Sequence, residues 1–155
     1  MEFSSETKLS KNIKLKEFEK SQMAYRLGID NRVTDKTIFN NLKNLSEEIL
    51  EPIRNHFGKP FTPNSGYRCL ELNRKLGSRD TSQHTLGQAV DIEIVGIDNE
   101  TLFAYIKNEL DFDQVILEYY DGITPDSGWI HVSYVSPKEN RKNSFAYDGI
   151  NYRVV

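Results

Sequence analysis

The chain has 155 residues, with 20 Lys and Arg against 23 Asp and Glu and a formal net charge of −3. That length holds one ordinary globular core and leaves too little for a second, and the near-balanced charge argues against a general nucleic-acid binder, which carries a basic excess. The single cysteine, Cys69, excludes an intrachain disulfide and a cysteine-rich zinc finger, and no apolar run approaches the roughly 20 residues needed to cross a bilayer.

Residues 1–12 are polar and read as a flexible N-terminus, so the domain is expected over residues 13–155. The opening Met1-Glu2-Phe3-Ser4-Ser5-Glu6 lacks the basic start and apolar core of a secretory leader, which predicts a chain that is cytoplasmic as made. A monomer is expected, with no nucleic-acid partner and no membrane span. Leu15, Phe18, Met23 and Leu27 predict a short helix or two, stopped at Gly28-Ile29-Asp30-Asn31.

The strongest helical pattern runs from about Asp35 to Phe57. Ile38, Leu42, Leu45, Ile49, Ile53 and Phe57 recur at three- and four-residue steps, and Gly58 is placed to cap the end. Pro52 lies inside this run and has no backbone N–H to donate, so a kink or interruption is expected there. A later helix is expected from Asn99 as N-cap, with Leu102, Phe103, Ile106 and Leu110 facing inward. Strand-like alternation marks Gln88–Val95, Gln114–Tyr120 and Trp129–Val135. The last two are separated by the short loop Asp121–Gly128, which predicts antiparallel pairing. Asp148-Gly149, between Phe145-Ala146-Tyr147 and Ile150-Asn151-Tyr152, predicts a tight hairpin turn. Helices first, then strands with one inserted helix, predict an α+β fold: an antiparallel sheet with the N-terminal helices packed on it.

Chemistry concentrates in Ser82-Gln83-His84-Thr85-Leu86-Gly87-Gln88-Ala89-Val90-Asp91 and in Trp129-Ile130-His131-Val132-Ser133. Asp91 sits in a strand whose other face is apolar, where an unpaired carboxylate is costly to bury. It needs solvent, a salt-bridge partner or a metal. His84, Asp91 and His131 form a three-ligand set, the number that catalytic zinc takes while keeping a fourth position open. A packed histidine in a strand and a carboxylate in an ion pair are the plain alternatives.

These blocks, with Ser65-Gly66-Tyr67-Arg68 and Leu72-Asn73, make residues 13 to 137 resemble the M15 zinc peptidases. That family includes D-Ala-D-Ala carboxypeptidases, D-Ala-D-Ala dipeptidases and L-alanyl-D-glutamate endolysins of phage. The likeness extends to the short phage-associated members through Leu15–Asn31 and Leu50-Glu51-Pro52-Ile53-Arg54. The resemblance implies the hedgehog/DD-peptidase-like fold, one Zn2+ held by His84, Asp91 and His131, and hydrolysis of peptide bonds in peptidoglycan stem peptides, as a carboxypeptidase or an endopeptidase. It implies that Arg68 contacts substrate and stabilises the oxyanion, a loop salt bridge being the alternative. Ser82 is implied beside the metal, touching substrate or holding its loop.

The general base departs from the family pattern. Many members carry an acidic residue three positions before the last histidine, and here that position is Gly128. Glu118, on a strand expected to pair with the one bearing His131, is preferred over Asp126 in the loop, because a strand fixes a carboxylate better. Glu118 acting only to orient a ligand histidine is its alternative role. The broken pattern also leaves open a non-catalytic, zinc-stabilised wall-binding or phage structural module, and a hedgehog-like signalling domain fits less well. His56 reads as a helix-end residue, Cys69 as a residue without a base, and the Tyr119, Tyr120 and Trp129 aromatics as core and cleft wall rather than a dedicated stacking platform.

Overall fold

The computed structural model describes residues 3–155. Within the described part of the segment expected to be frayed, residues 9–12 pack onto the rest of the chain. Leu9 is 1% exposed and belongs to the core, and its N–H donates to the Ile13 carbonyl. The Ser10 hydroxyl and the Asn12 backbone N–H both donate to Glu51, each at 2.6 Å. A leucine inside the polar stretch supplied the apolar anchor that composition alone concealed.

Helix α1 (Lys16–Glu19) and helix α2 (Gln22–Leu27) follow, α2 ending at Gly28 in the left-handed conformation as expected. The long helical pattern resolves into α3 (Lys36–Leu45), a π-helical turn (Ser46–Leu50) and α4 (Glu51–Phe57). The widened turn lies just ahead of Pro52, whose ring clashes with the carbonyl four residues back in a regular helix. The interruption keeps Leu42, Leu45, Ile49 and Ile53 on one fully buried line. Helix α5 (Leu70–Lys75) is a further element, in a stretch with no helical periodicity.

The strands are β1 (Ala89–Ile92), β2 (Gln114–Glu118), β3 (Trp129–Ser133), β4 (Asn143–Tyr147) and β5 (Tyr152–Val154), in the order β1-β3-β2-β4-β5. Helix α6 (Asn99–Glu109) lies between β1 and β2. Its N-cap is Asp98 rather than Asn99, the Asp98 carboxylate accepting from the Glu100 N–H at 2.7 Å. Asn99 donates instead to the Ser127 and Gly128 carbonyls, tying the helix start to the β2–β3 loop.

The sheet is mixed, which corrects the expectation of a purely antiparallel one. β3 pairs antiparallel with both β1 and β2, but β4 runs parallel to β2. With both flanks of β3 occupied, the link 134–142 turns the chain at the Ser133 end and enters β4 on the far side of β2, opposite in direction to β3. Buried Asp113 secures this crossover by accepting from the Arg141 backbone N–H, Nε and Nη2 at 2.9, 3.0 and 2.7 Å. The final hairpin is wider than expected, because Tyr147 pairs with Tyr152 and Asp148–Asn151 form the loop. Asp148 accepts from the N–H groups of Ile150 and Asn151, an Asx arrangement that spends the aspartate on a longer turn.

Alternation divides the sheet. Val90, Ile92, Val115, Leu117, Ile130 and Val132 join α3, α4 and α6 in the core. The intervening residues face the other way and form the floor of the site.

Candidate metal centre

One row across the outward face of the sheet reads Asp91, His131, Ile116 over β1, β3 and β2, and the row two residues along sets Trp129 against Glu118. An open cleft of ≈ 1310 Å3 lies over this face.

His84 enters the cleft from a short 3-10 turn (Gln83–Leu86) rather than an irregular loop. The Ser82 hydroxyl caps that turn by accepting from the His84 N–H at 3.3 Å. His84 Nδ1 lies 2.7 Å from the Gly66 carbonyl. A carbonyl only accepts, so Nδ1 carries the proton and the Nε2 lone pair faces the cleft. Burial, at 3% exposure, holds the imidazole below its ordinary pKa and favours the neutral, ligating form.

Asp91 is held by its backbone at the free edge of β1. Its N–H donates to the Ser65 carbonyl and its carbonyl accepts from the Asn64 N–H, both at 2.8 Å. Its Oδ1 lies 3.4 Å from His84 Nε2 and 3.1 Å from His131 Nδ1, while Oδ2 lies 3.6 Å from Arg68 Nη2. Burial pushes this carboxyl up, but the adjacent imidazoles outweigh it and hold the group below the usual carboxylate range.

The ligating atoms of His84, Asp91 and His131 all lie within 4.8 Å of one another, the one such grouping among the described residues. Donors bonded at about 2.0–2.1 Å in a tetrahedron stand about 3.4 Å apart, which the 3.1 and 3.4 Å separations match. Two imidazole nitrogens and one carboxylate oxygen suit a borderline divalent cation and serve magnesium or calcium poorly, since these take oxygen ligands. The residues present therefore fit a metal.

Arg68 lies in the same cleft. Its Nε donates to Ser65 Oγ and its Nη1 to Asn73 Oδ1, each at 3.2 Å. Asn73 is fully buried and anchored by donating to the Arg79 carbonyl. Burial lowers the guanidinium pKa, opposed by Asp91 and Glu118, and an arginine stays charged through such a shift. Glu118 Oε2 accepts from Trp129 Nε1 at 2.6 Å. Burial raises the Glu118 carboxyl above its ordinary pKa, against the opposing pull of His131. Glu118 and Ser82 both line the cleft with the three clustered residues.

Asp126 is not brought there. It is exposed and lines a separate cavity of ≈ 400 Å3 with Pro60, Phe61 and Glu93. His56 stacks on Tyr105 at 4.0 Å, and Cys69 packs against the small cluster of Ala24, Ile29 and Leu72. Three contributions escaped the sequence: the Gly66 carbonyl that sets the His84 tautomer, the Asn73 amide that holds Arg68, and the Trp129 N–H on Glu118. Gly66 and Asn73 stood inside the motif blocks, but nothing in their residue types announced these roles.

A family model described as Peptidase M15 matches residues 11–133. No curated protein matches the chain.

Proposed function

The chain belongs to the M15 peptidase family, and on that premise we propose that it is a zinc-dependent peptidase hydrolysing amide bonds in peptidoglycan stem peptides, with the hedgehog/DD-peptidase-like fold of the short phage-type members. The observation that carries the metal assignment is the convergence of His84, Asp91 and His131 in one open cleft. Zinc held by these side chains supplies the Lewis acidity that polarises a carbonyl and acidifies water at neutral pH.

The chain's own groups divide the remaining work. Arg68, fixed by Ser65 and Asn73, presents positive charge to the oxygen of the scissile carbonyl as negative charge develops there. Glu118, with its carboxyl raised by burial and oriented by Trp129, takes the proton of the attacking water and passes it to the leaving amine. Ser82 holds the His84 turn and faces the substrate from the cleft wall. The Gly66 carbonyl keeps the His84 Nδ1 proton away from the ligating nitrogen.

The test is mass spectrometry of muropeptides released from purified sacculi, with and without chelator and with zinc restored. Chelation is expected to stop release and zinc to restore it. His84→Ala and Asp91→Ala should lose zinc content and release together. Undiminished release by the metal-free protein would overturn the mechanism, and bound zinc without any release would favour a zinc-stabilised wall-binding module instead.

A further inference from the structure

The family match ends at residue 133, and the chain beyond it adds β4 and β5 to the sheet. Parallel pairing sets Tyr147 beside Glu118, and the hairpin sets Tyr152 beside Tyr147. The cleft over His131 is thereby prolonged by an aromatic wall of Trp129, Tyr119, Tyr147 and Tyr152. The rings are continuous: Tyr119 lies 5.0 Å from Trp129 and 5.6 Å from Tyr147, and Tyr147 stacks on Tyr152 at 4.3 Å.

Two features mark this wall as more than packing. Tyr152 and Tyr119 are 60% and 46% exposed, so their faces are offered to the cleft instead of the core. Tyr119 also holds φ at 59°, an uncommon conformation for a bulky residue that the surrounding structure must enforce. Trp129 donates to Glu118, whereas the hydroxyls of Tyr119, Tyr147 and Tyr152 are tied to no other described residue. The surface thus combines flat apolar faces with free donor–acceptor hydroxyls at their rims.

We infer that this wall is a carbohydrate subsite, which receives an amino-sugar ring of the glycan that carries the stem peptide. A pyranose has an apolar C–H face and a rim of hydroxyls, so it satisfies both halves of the surface. An aromatic peptide side chain would use the faces and leave the phenols idle. A nucleobase would stack as well, but the net charge of −3 opposes its phosphates. The cleft, at ≈ 1310 Å3, exceeds the roughly 300–1,000 Å3 of an ordinary small-ligand site, which leaves room for a sugar beside a peptide. The inference rests on the proposed peptidase reading for what occupies the rest of the cleft.

Trp129 is the only tryptophan, so the emission comes from this wall and from its contact with Glu118. The chelator-treated full chain, titrated with the tetramer of N-acetylglucosamine, should show a saturable change. Tyr147→Ala and Tyr152→Ala should each weaken binding about two- to tenfold, the range expected for one aromatic contact. Tyr152→Phe should fall between parent and Tyr152→Ala, with circular dichroism checking that the variants fold. A response to a phenylalanine-containing peptide but none to the tetrasaccharide would overturn the inference. In hydrolysis, the parent should prefer a glycan-bearing stem peptide to the same peptide without sugar, and Tyr152→Ala should shrink that preference. Hydrolysis with no sugar preference and no tetrasaccharide binding refutes the subsite and leaves the peptidase standing. Tetrasaccharide binding without hydrolysis of either substrate supports the subsite and refutes the peptidase.

Discussion

Replacing Gly128 with alanine tests how the β2–β3 connection presents Glu118. Gly128 has φ +69°, and a Cβ there would lie 1.9 Å from the Glu118 carbonyl oxygen and 2.7 Å from the Tyr119 carbonyl carbon. Both are backbone atoms, so no side-chain rotation relieves the overlap. Gly28 is the matched control, because its φ is +68° and a Cβ there would meet nothing within 4 Å. Gly28→Ala should therefore cost only the left-handed conformation, about 1–2 kcal/mol. Gly128→Ala should cost that plus a backbone displacement, about 3–5 kcal/mol together. In a chain of this size each kcal/mol lowers Tm by roughly 2–4 °C, so the two variants should separate clearly by calorimetry or urea titration. Gly128→Ala should also depress hydrolysis beyond its effect on stability, since the displaced segment carries Glu118. Equal destabilisation of the two variants would refute the close approach. The same overlap makes any side chain at position 128, an acidic one included, incompatible with this backbone.

Glu118→Gln should lower kcat on stem peptides by roughly 10²–10⁴-fold, the usual weight of a general base, with zinc content unchanged by atomic absorption. Asp126→Asn, in its separate exposed cavity, should hydrolyse as the parent does. Arg68→Lys should keep the charge but lose the fork that engages Ser65 and Asn73, lowering kcat/KM by about 10–100-fold with the metal retained. The Asp113 carboxyl, for its part, is held at about 2 in the fold against an ordinary 3.8, Arg141 and Gln83 overcoming the opposing effect of burial. A depressed acid contributes stability above its unfolded pKa and loses it as pH falls through the folded one. Asp113→Asn should therefore cost about 2 kcal/mol at pH 7, and the difference from the parent should shrink below pH 4 and vanish near pH 2 in urea titrations.

The features legible in the sequence are those with a local cause. The α3–α4 stripe, the interruption near Pro52 and the Gly28 and Gly58 caps follow from neighbours in the chain. So does the alternation that turns Asp91, His131 and Glu118 away from the core. What was not legible depends on contacts made at a distance. The parallel entry of β4 is decided by the flanks of β3 being filled and by Arg141 reaching Asp113, neither visible along the chain. Leu9 is one leucine in a polar run until Ile13 and the core receive it. The sequence brought His84, Asp91 and His131 together only as a count of ligand types. Which nitrogen of His84 is free depends on the Gly66 carbonyl, and a carbonyl belongs to every residue and so leaves no compositional trace.

Asp91 has a single carboxylate and two sets of clients: one oxygen is shared by both imidazoles and the other faces the Arg68 guanidinium. Arg68 requires an acceptor, and a cation held together with the two imidazoles requires a lone pair. Asparagine, identical in shape, can offer its one oxygen to only one of these and must turn its NH2 towards the other. The side chain that looks easiest to mimic is thus the one for which no isosteric substitute exists. On the proposed reading, the metal and Arg68 would be coupled through this one planar group, so neither could drift without carrying the other along.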